Sequence, residues 1–160
     1  MAKISIIMGS ESDIDTVNEA INVLKEFKVD FEAKVLSAHR TPKEVAKYVE
    51  DAPKKGTKVF IAAAGMSAAL AGVAAAHTIL PVIGIPIETK NLKGLDSLLS
   101  TVQMPPGIPV ACMAIGKSGA KNAALLALEI LAIGDAGIGK KLTDYRKKMR
   151  LKVKQTKLRL

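Results

Sequence analysis

A chain of 160 residues, 49% of them apolar, is long enough to bury the core of one globular domain. Aromatic residues make up 3% with no Trp, which argues against a protein that reads single-stranded nucleic acid by base stacking. The formal charge of +9 is local: Lys140 to Leu160 holds ten Lys/Arg against one acid, Asp144, and the remaining 139 residues are formally neutral. The basic character therefore belongs to a C-terminal segment, and nucleic-acid binding is not expected of the body.

In chain order, residues 3–8 read as a short buried β-branched strand. From Ser12 to Lys28, Ile14, Val17, Ala20, Ile21, Val23, Leu24 and Phe27 recur on one helical face. Residues 30–36 alternate like a second strand. Thr41-Pro42-Lys43-Glu44 then reads as a helix start, with Thr41 as cap, Pro42 in the first turn and Glu44 closing a capping box; Gly56 ends that helix after about Lys55. Lys58 to Ala64 forms a third strand and leads through Gly65-Met66-Ser67 into an Ala-rich segment reaching Thr78. Pro81 to Pro86 is a fourth strand, Asn91 to Thr101 a helix, and Ile108 to Ile115 a fifth strand. Ser118 to Ile133 is an apolar helix ended by Gly134, and a basic helix covers roughly 139–156, continuing as a basic tail to 160.

Alternating strands and helices with short connections predict a three-layer α/β sandwich around a parallel five-stranded sheet, flavodoxin-like in strand order, plus a C-terminal helix. No linker or repeat marks a second domain, so residues 1–160 are expected to form one catalytic domain. The Ala-rich segment after Gly65 and the helix after Ser118 are apolar around most of their circumference, which predicts a homo-oligomer. The start lacks a signal-peptide pattern, and Gly65, Gly72, His77, Pro81, Gly84 and Pro86 interrupt the longest apolar region, so the expectation is a cytoplasmic protein without a membrane span. Cys112 lies in an apolar run and reads as a core residue. One cysteine and two histidines set far apart offer no metal-ligand spacing.

Two strand-to-helix corners stand out: Gly9-Ser10-Glu11-Ser12-Asp13 and Ser37-Ala38-His39-Arg40-Thr41-Pro42. In one parallel sheet both corners face the carboxyl edge, where open α/β sheets bind ligands. The hydroxyls and free N–H groups of Ser10, Ser12 and Ser37 suit a phosphate, as does the planar fork of Arg40. Asp13 suits a ribose diol, and the imidazole of His39 is the group able to move protons near neutral pH. His77, at the end of the Ala-rich segment, reads as structural or interfacial. Gly65-Met66-Ser67 also faces the carboxyl edge, whereas Pro105-Pro106-Gly107 precedes a strand and belongs at the opposite edge of its own subunit.

Met8 to Asp13, Ser37 to Pro42, Gln103 to Val110 and Asn122 to Ala127 together resemble the N5-carboxyaminoimidazole ribonucleotide mutases of purine biosynthesis. The resemblance covers nearly the whole chain. It implies a flavodoxin-like octamer with active sites between subunits, and a ribonucleotide substrate with no metal or cofactor. Ser10, Ser12, Ser37 and Arg40 would hold the 5′-phosphate, Asp13 the ribose, and the backbone at Ala64 and Gly65 the imidazole ring and migrating carboxylate. His39 would serve as the acid–base group.

One segment departs from that pattern. Where these mutases carry a Gly-Ala-Ala-His-Leu-Pro-Gly-like loop, this chain reads Met66-Ser67-Ala68-Ala69-Leu70-Ala71-Gly72, so Ala69 replaces a histidine and Ala71 a proline. That loop is closer to the related aminoimidazole ribonucleotide carboxylases, which use free carbon dioxide, whereas Arg40 stands where those enzymes carry Lys. A carboxylase and a catalytically idle nucleotide-binding or assembly module are therefore the alternative readings.

Overall fold

The computed structural model describes residues 3–156. Its strands are β1 (Ile4–Met8), β2 (Phe31–Val35), β3 (Val59–Ala64), β4 (Val82–Pro86) and β5 (Ala111–Cys112). All pair in parallel, in the order β2-β1-β3-β4-β5. This is the doubly wound flavodoxin-like order, in which the connections leaving β1 and β3 diverge and open a crevice at the carboxyl ends of the strands. The helices are α1 (Ile14–Phe27), α2 (Pro42–Asp51), α3 (Leu70–Ala76), α4 (Leu95–Val102), α5 (Gly116–Ala132) and α6 (Ala136–Gln155).

Every residue of β1 and β4 is buried, and so is β3 up to its last residue, as expected when helices cover both faces of a parallel sheet. On one face Ile7, Phe60, Ala62 and Val82 pack with Val45 and Val49 of α2 and with Leu70, Ala71, Ala74 and Ala75 of α3. The small side chains of α3 let it lie close to the sheet. Gly84 serves the same purpose on β4, because a Cβ there would fall 2.4 Å from Thr101 Cγ2 of α4. Below the carboxyl edge, a chain of hydroxyls ties α2 to the sheet. Tyr48 Oη donates its proton to Glu32 Oε2 at 3.0 Å and lies 3.1 Å from the Ser5 hydroxyl, and Ser5 Oγ meets Thr57 Oγ1 at 2.8 Å. Burial pushes the Tyr48 hydroxyl up to about 12, so it remains a donor at any physiological pH.

Several boundaries differ from the sequence reading. The fifth strand is two residues rather than eight, pairing only at Ile83–Ala111 and Gly84–Cys112. Pro109 has no N–H to give to a ladder, which keeps its approach out of the sheet. Cys112 there is half-buried rather than a core residue, and burial raises its thiol pKa. The second helix stops at Asp51, ahead of Pro53, and a 3-10 turn (Pro53–Lys55) leads to Gly56 at φ 100°. The fourth helix starts at Leu95 rather than Asn91, because Lys93 and Gly94 take positive φ values of 52° and 89°. The last helix starts earlier than expected, at Ala136: Asp135 caps it, accepting from Gly137 N and Ile138 N at 3.1 and 3.2 Å.

The chain divides into two compact units, one ending at Ala127 and containing the entire sheet, the other beginning at Leu128. In the second unit Ile138 and Leu142 are buried, and Arg146 pairs with Glu129. Most of the expected basic tail is α6, and its last four residues lie outside the described residues. No helix among the described residues is long and apolar enough to cross a membrane.

Candidate active site

A cavity of about 850 Å³ opens at the carboxyl edge of the sheet, within the first unit. Four strand exits build it. The exit of β1 supplies Gly9, Ser10, Ser12 and Asp13; that of β2 supplies Ser37, His39 and Arg40. The exit of β3 supplies Gly65, Met66 and Ser67, and that of β4 supplies Ile87 to Asn91, with Asp96 of α4 behind them.

The first corner is a 3-10 turn (Glu11–Asp13) that leads into α1. Ser10 is extended at φ −152° and caps the turn, its Oγ accepting from Ser12 N at 3.3 Å. Ser12 Oγ lies 2.9 Å from Ser10 Oγ and 3.3 Å from Asp13 Oδ1. These contacts cluster two hydroxyls and a carboxylate at one helix start. Asp13 is 8% exposed. Desolvation raises its pKa, against the opposing pull of the Ser12 and Ser10 hydrogen bonds and of the Arg40 charge.

The second corner is closed on itself. Ser37 N donates to Thr41 Oγ1 at 3.0 Å, and Thr41 Oγ1 and N donate to Ser37 O at 3.1 and 2.8 Å. Thr41 therefore does not cap α2 with its hydroxyl, and the expected capping box is absent; the hydroxyl is spent on tightening the Ser37–Thr41 turn. Ser37 Oγ in turn accepts from Arg40 N at 3.2 Å and from Arg40 Nε at 3.3 Å. Arg40 Nη2 crosses to Gly9 O at 2.6 Å and joins the two corners. His39 is exposed on the cavity wall and makes no side-chain hydrogen bond to any described residue, which leaves both ring nitrogens available to a ligand.

The floor is stitched through backbone. Gly9 N donates to Ala63 O at 3.0 Å and Ile87 N to Ala64 O at 2.9 Å. Ala64 ends β3 beneath the cavity and is not a lining residue, whereas Gly65 is. Of the eight residues predicted for the site, the structure thus gathers Ser10, Ser12, Asp13, Ser37, His39, Arg40 and Gly65 around one cavity. Met66 stands beside them at φ 60° and 69% exposed, in the loop that departs from the mutase pattern. Ala69 is half-buried at the start of α3 and off the cavity wall. His77 lies elsewhere, its Nδ1 3.0 Å from Glu50 Oε1. The Pro105–Gly107 loop is likewise away from the lining.

The sequence reading passed over the Ile87–Asn91 wall and Asp96. The signal was available: the segment after a fourth parallel strand must reach the same edge as the segments after the other three. Its geometry is well defined. Thr89 Oγ1 donates to Asp96 Oδ1 at 2.8 Å and accepts from Gly94 N at 3.1 Å. Gly94 requires its left-handed φ, and a Cβ there would sit 2.5 Å from Ile115 Cγ2 and 3.2 Å from Ile87 O. Among the described residues no cluster of three or more His, Cys, Asp or Glu could hold a metal ion.

Residues 3–152 match the family model described as AIR carboxylase. The chain is 57% identical over 150 residues to the N5-carboxyaminoimidazole ribonucleotide mutase of Pyrococcus abyssi, covering 94% of this chain and 85% of that protein. With the mutase of Saccharolobus solfataricus it shares 52% identity over 158 residues, covering 99% of each. The crystal structure of Treponema denticola PurE superposes with a TM-score of 0.85 at 29% identity, covering 94% of this chain and 92% of that one.

Proposed function

This chain belongs to the AIR carboxylase family, and from that premise we propose that it is an N5-carboxyaminoimidazole ribonucleotide mutase of de novo purine synthesis. It moves a carboxylate from the exocyclic nitrogen of the substrate's imidazole to ring carbon 4. The observation that carries this reading is one cavity in which His39 stands, unengaged, beside the Arg40-braced hydroxyl corners. That juxtaposition fits a phosphorylated ribonucleotide with its reacting ring next to an imidazole. The 52–57% identity to mutases over nearly the full chain favours the mutase over the carboxylase that draws on free carbon dioxide, and over an idle module.

In this mechanism Ser10, Ser12, Ser37 and Arg40 hold the 5′-phosphate, Asp13 accepts from the ribose hydroxyls, and the backbone at Ala64 and Gly65 borders the ring. Decarboxylation leaves aminoimidazole ribonucleotide and carbon dioxide in the cavity, and His39 gives a proton to the departing nitrogen. Ring carbon 4 then attacks the carbon dioxide, and His39 takes the proton that carbon loses. One imidazole thus returns to its starting state each turnover, the arrangement general acid–base catalysis favours near neutral pH. Retention of carbon dioxide requires a closed site.

Residues 1–160 act as one catalytic domain in a cytoplasmic homo-octamer that binds neither membrane nor nucleic acid. Support for self-association comes from α4, where Leu95, Leu99 and Val102 are each about half exposed at helical spacing, and from Leu92 in the turn before it, 57% exposed. The assay is conversion of N5-carboxyaminoimidazole ribonucleotide by the purified protein, with His39→Asn alongside. The variant should fold and bind nucleotide yet lose turnover; normal turnover would remove His39 from the mechanism.

A further inference from the structure

The charged groups lining the cavity are Asp13, His39, Arg40, Glu88, Lys90 and Asp96. Two are permanent cations, and they stand on different walls. Arg40 is committed to the first two corners through Gly9 O and Ser37 Oγ. Lys90 belongs to the wall after β4 and makes no side-chain hydrogen bond or ion pair to any described residue, Glu88 two positions earlier included.

Lys90 is nevertheless held at its base. Thr89, its neighbour, is fastened through its hydroxyl, which donates to Asp96 Oδ1 and accepts from Gly94 N. The same bracket occupies one oxygen of Asp96, so that carboxylate is already engaged by a hydroxyl. An uncommitted ammonium on an anchored loop, facing a cavity that takes an anion, is a ready-made second anion contact.

We infer that Lys90 takes the carboxylate end of the ribonucleotide while Arg40 takes the phosphate end. The inference rests on the mutase reading, which supplies a ligand with an anion at each end. With the phosphate at the β1 and β2 corners, the ring and its carboxylate extend toward the exits of β3 and β4, where Lys90 is the one cationic lining residue. Lys90 then discriminates carboxylated nucleotides from the decarboxylated intermediate, which has no charge at that end.

The test is direct binding of two nucleotides, 4-carboxyaminoimidazole ribonucleotide and aminoimidazole ribonucleotide, to the wild-type protein, Lys90→Gln and Lys90→Arg, by calorimetric titration. Lys90→Gln should weaken the carboxylated nucleotide by about 5- to 20-fold and leave the decarboxylated one within about 2-fold, as expected for loss of a partly solvated charge-assisted contact. Lys90→Arg should keep most of the affinity. Equal losses for both nucleotides, or no loss for either, would overturn the assignment. Wild-type protein that binds and turns over normally beside an unaffected Lys90→Gln refutes this inference alone. Wild-type protein that binds neither nucleotide refutes the mutase reading and this inference with it.

Discussion

Arg40 Nη2 donates to Gly9 O at 2.6 Å, linking residues 31 positions apart in sequence and binding the corner after β2 to the corner after β1. Because Arg40 also donates through Nε and its backbone N to Ser37 Oγ, one guanidinium braces the geometry of both corners and leaves donor capacity for an anion. Arg40→Ala removes the brace and the charge together. The expected result is a 10- to 100-fold loss of ribonucleotide affinity, on the order of the value of a charge-assisted bidentate contact, read by titration with aminoimidazole ribonucleotide. Arg40→Lys keeps the charge but not the fork and should fall between; unchanged affinity in Arg40→Ala would sink the phosphate assignment.

Asp13 should trade stability for binding. Its folded-state pKa is raised, chiefly by desolvation, so the native protein takes up that proton more readily than the unfolded chain. At pH values above the folded-state pKa the ionised carboxylate therefore costs stability, and the cost disappears as pH falls through that pKa toward the unfolded value. Asp13→Asn should raise the thermal midpoint at neutral pH, with the gain narrowing in acid. The same change should weaken nucleotide binding by about 10-fold through loss of charge-assisted bonds to the ribose. A lower midpoint at neutral pH would show that the carboxylate is net stabilising.

Tyr48→Phe should separate stability from activity in the other direction. The Tyr48 hydroxyl bridges Glu32 and Ser5, register partners near the amino ends of β2 and β1, away from the cavity. Its removal leaves Ser5 paired with Thr57, and Glu32 paired with Lys34 at 2.8 Å. Chemical denaturation should show a loss of about 1 kcal/mol, the usual net worth of such a hydrogen bond, with turnover unchanged. A turnover defect without a stability defect would mean that α2 transmits strain to the His39 corner.

Gly94→Ala should damage the β4 wall. The substitution forces a side chain into a left-handed position and against Ile115 Cγ2 and Ile87 O. A destabilisation of at least about 2 kcal/mol is expected from strain and overlap combined, together with weaker substrate binding as the Thr89 bracket shifts. A neutral substitution would show that the loop relaxes without cost.

Much of this could be read before any coordinates. The largely apolar runs of β1, β3 and β4 are legible because strands buried on both faces need mostly apolar sequence. The Ser10–Asp13 and Ser37–Pro42 corners are legible because turn and cap chemistry restricts residue type. Thr41 was misread because its hydroxyl has two competing uses, capping α2 or closing onto Ser37, and sequence alone does not rank them. The short β5 was overread because an apolar run near an edge does not reveal how many of its residues find a ladder partner. The Ile87–Asn91 wall stayed hidden because Glu88, Thr89 and Lys90 look like any polar loop. What fixes them is a contact to Asp96 and a left-handed Gly94, neither of which leaves a periodic trace.

The most direct measurement gives the purified protein N5-carboxyaminoimidazole ribonucleotide with an isotopically labelled carboxylate, in buffer saturated with unlabelled carbon dioxide, and in parallel aminoimidazole ribonucleotide in the same buffer. Efficient formation of 4-carboxyaminoimidazole ribonucleotide is expected from the first, with the label retained, and little product from the second. Efficient product from aminoimidazole ribonucleotide and dissolved carbon dioxide, with no turnover of the labelled substrate, would contradict the mutase reading and make the chain a carboxylase.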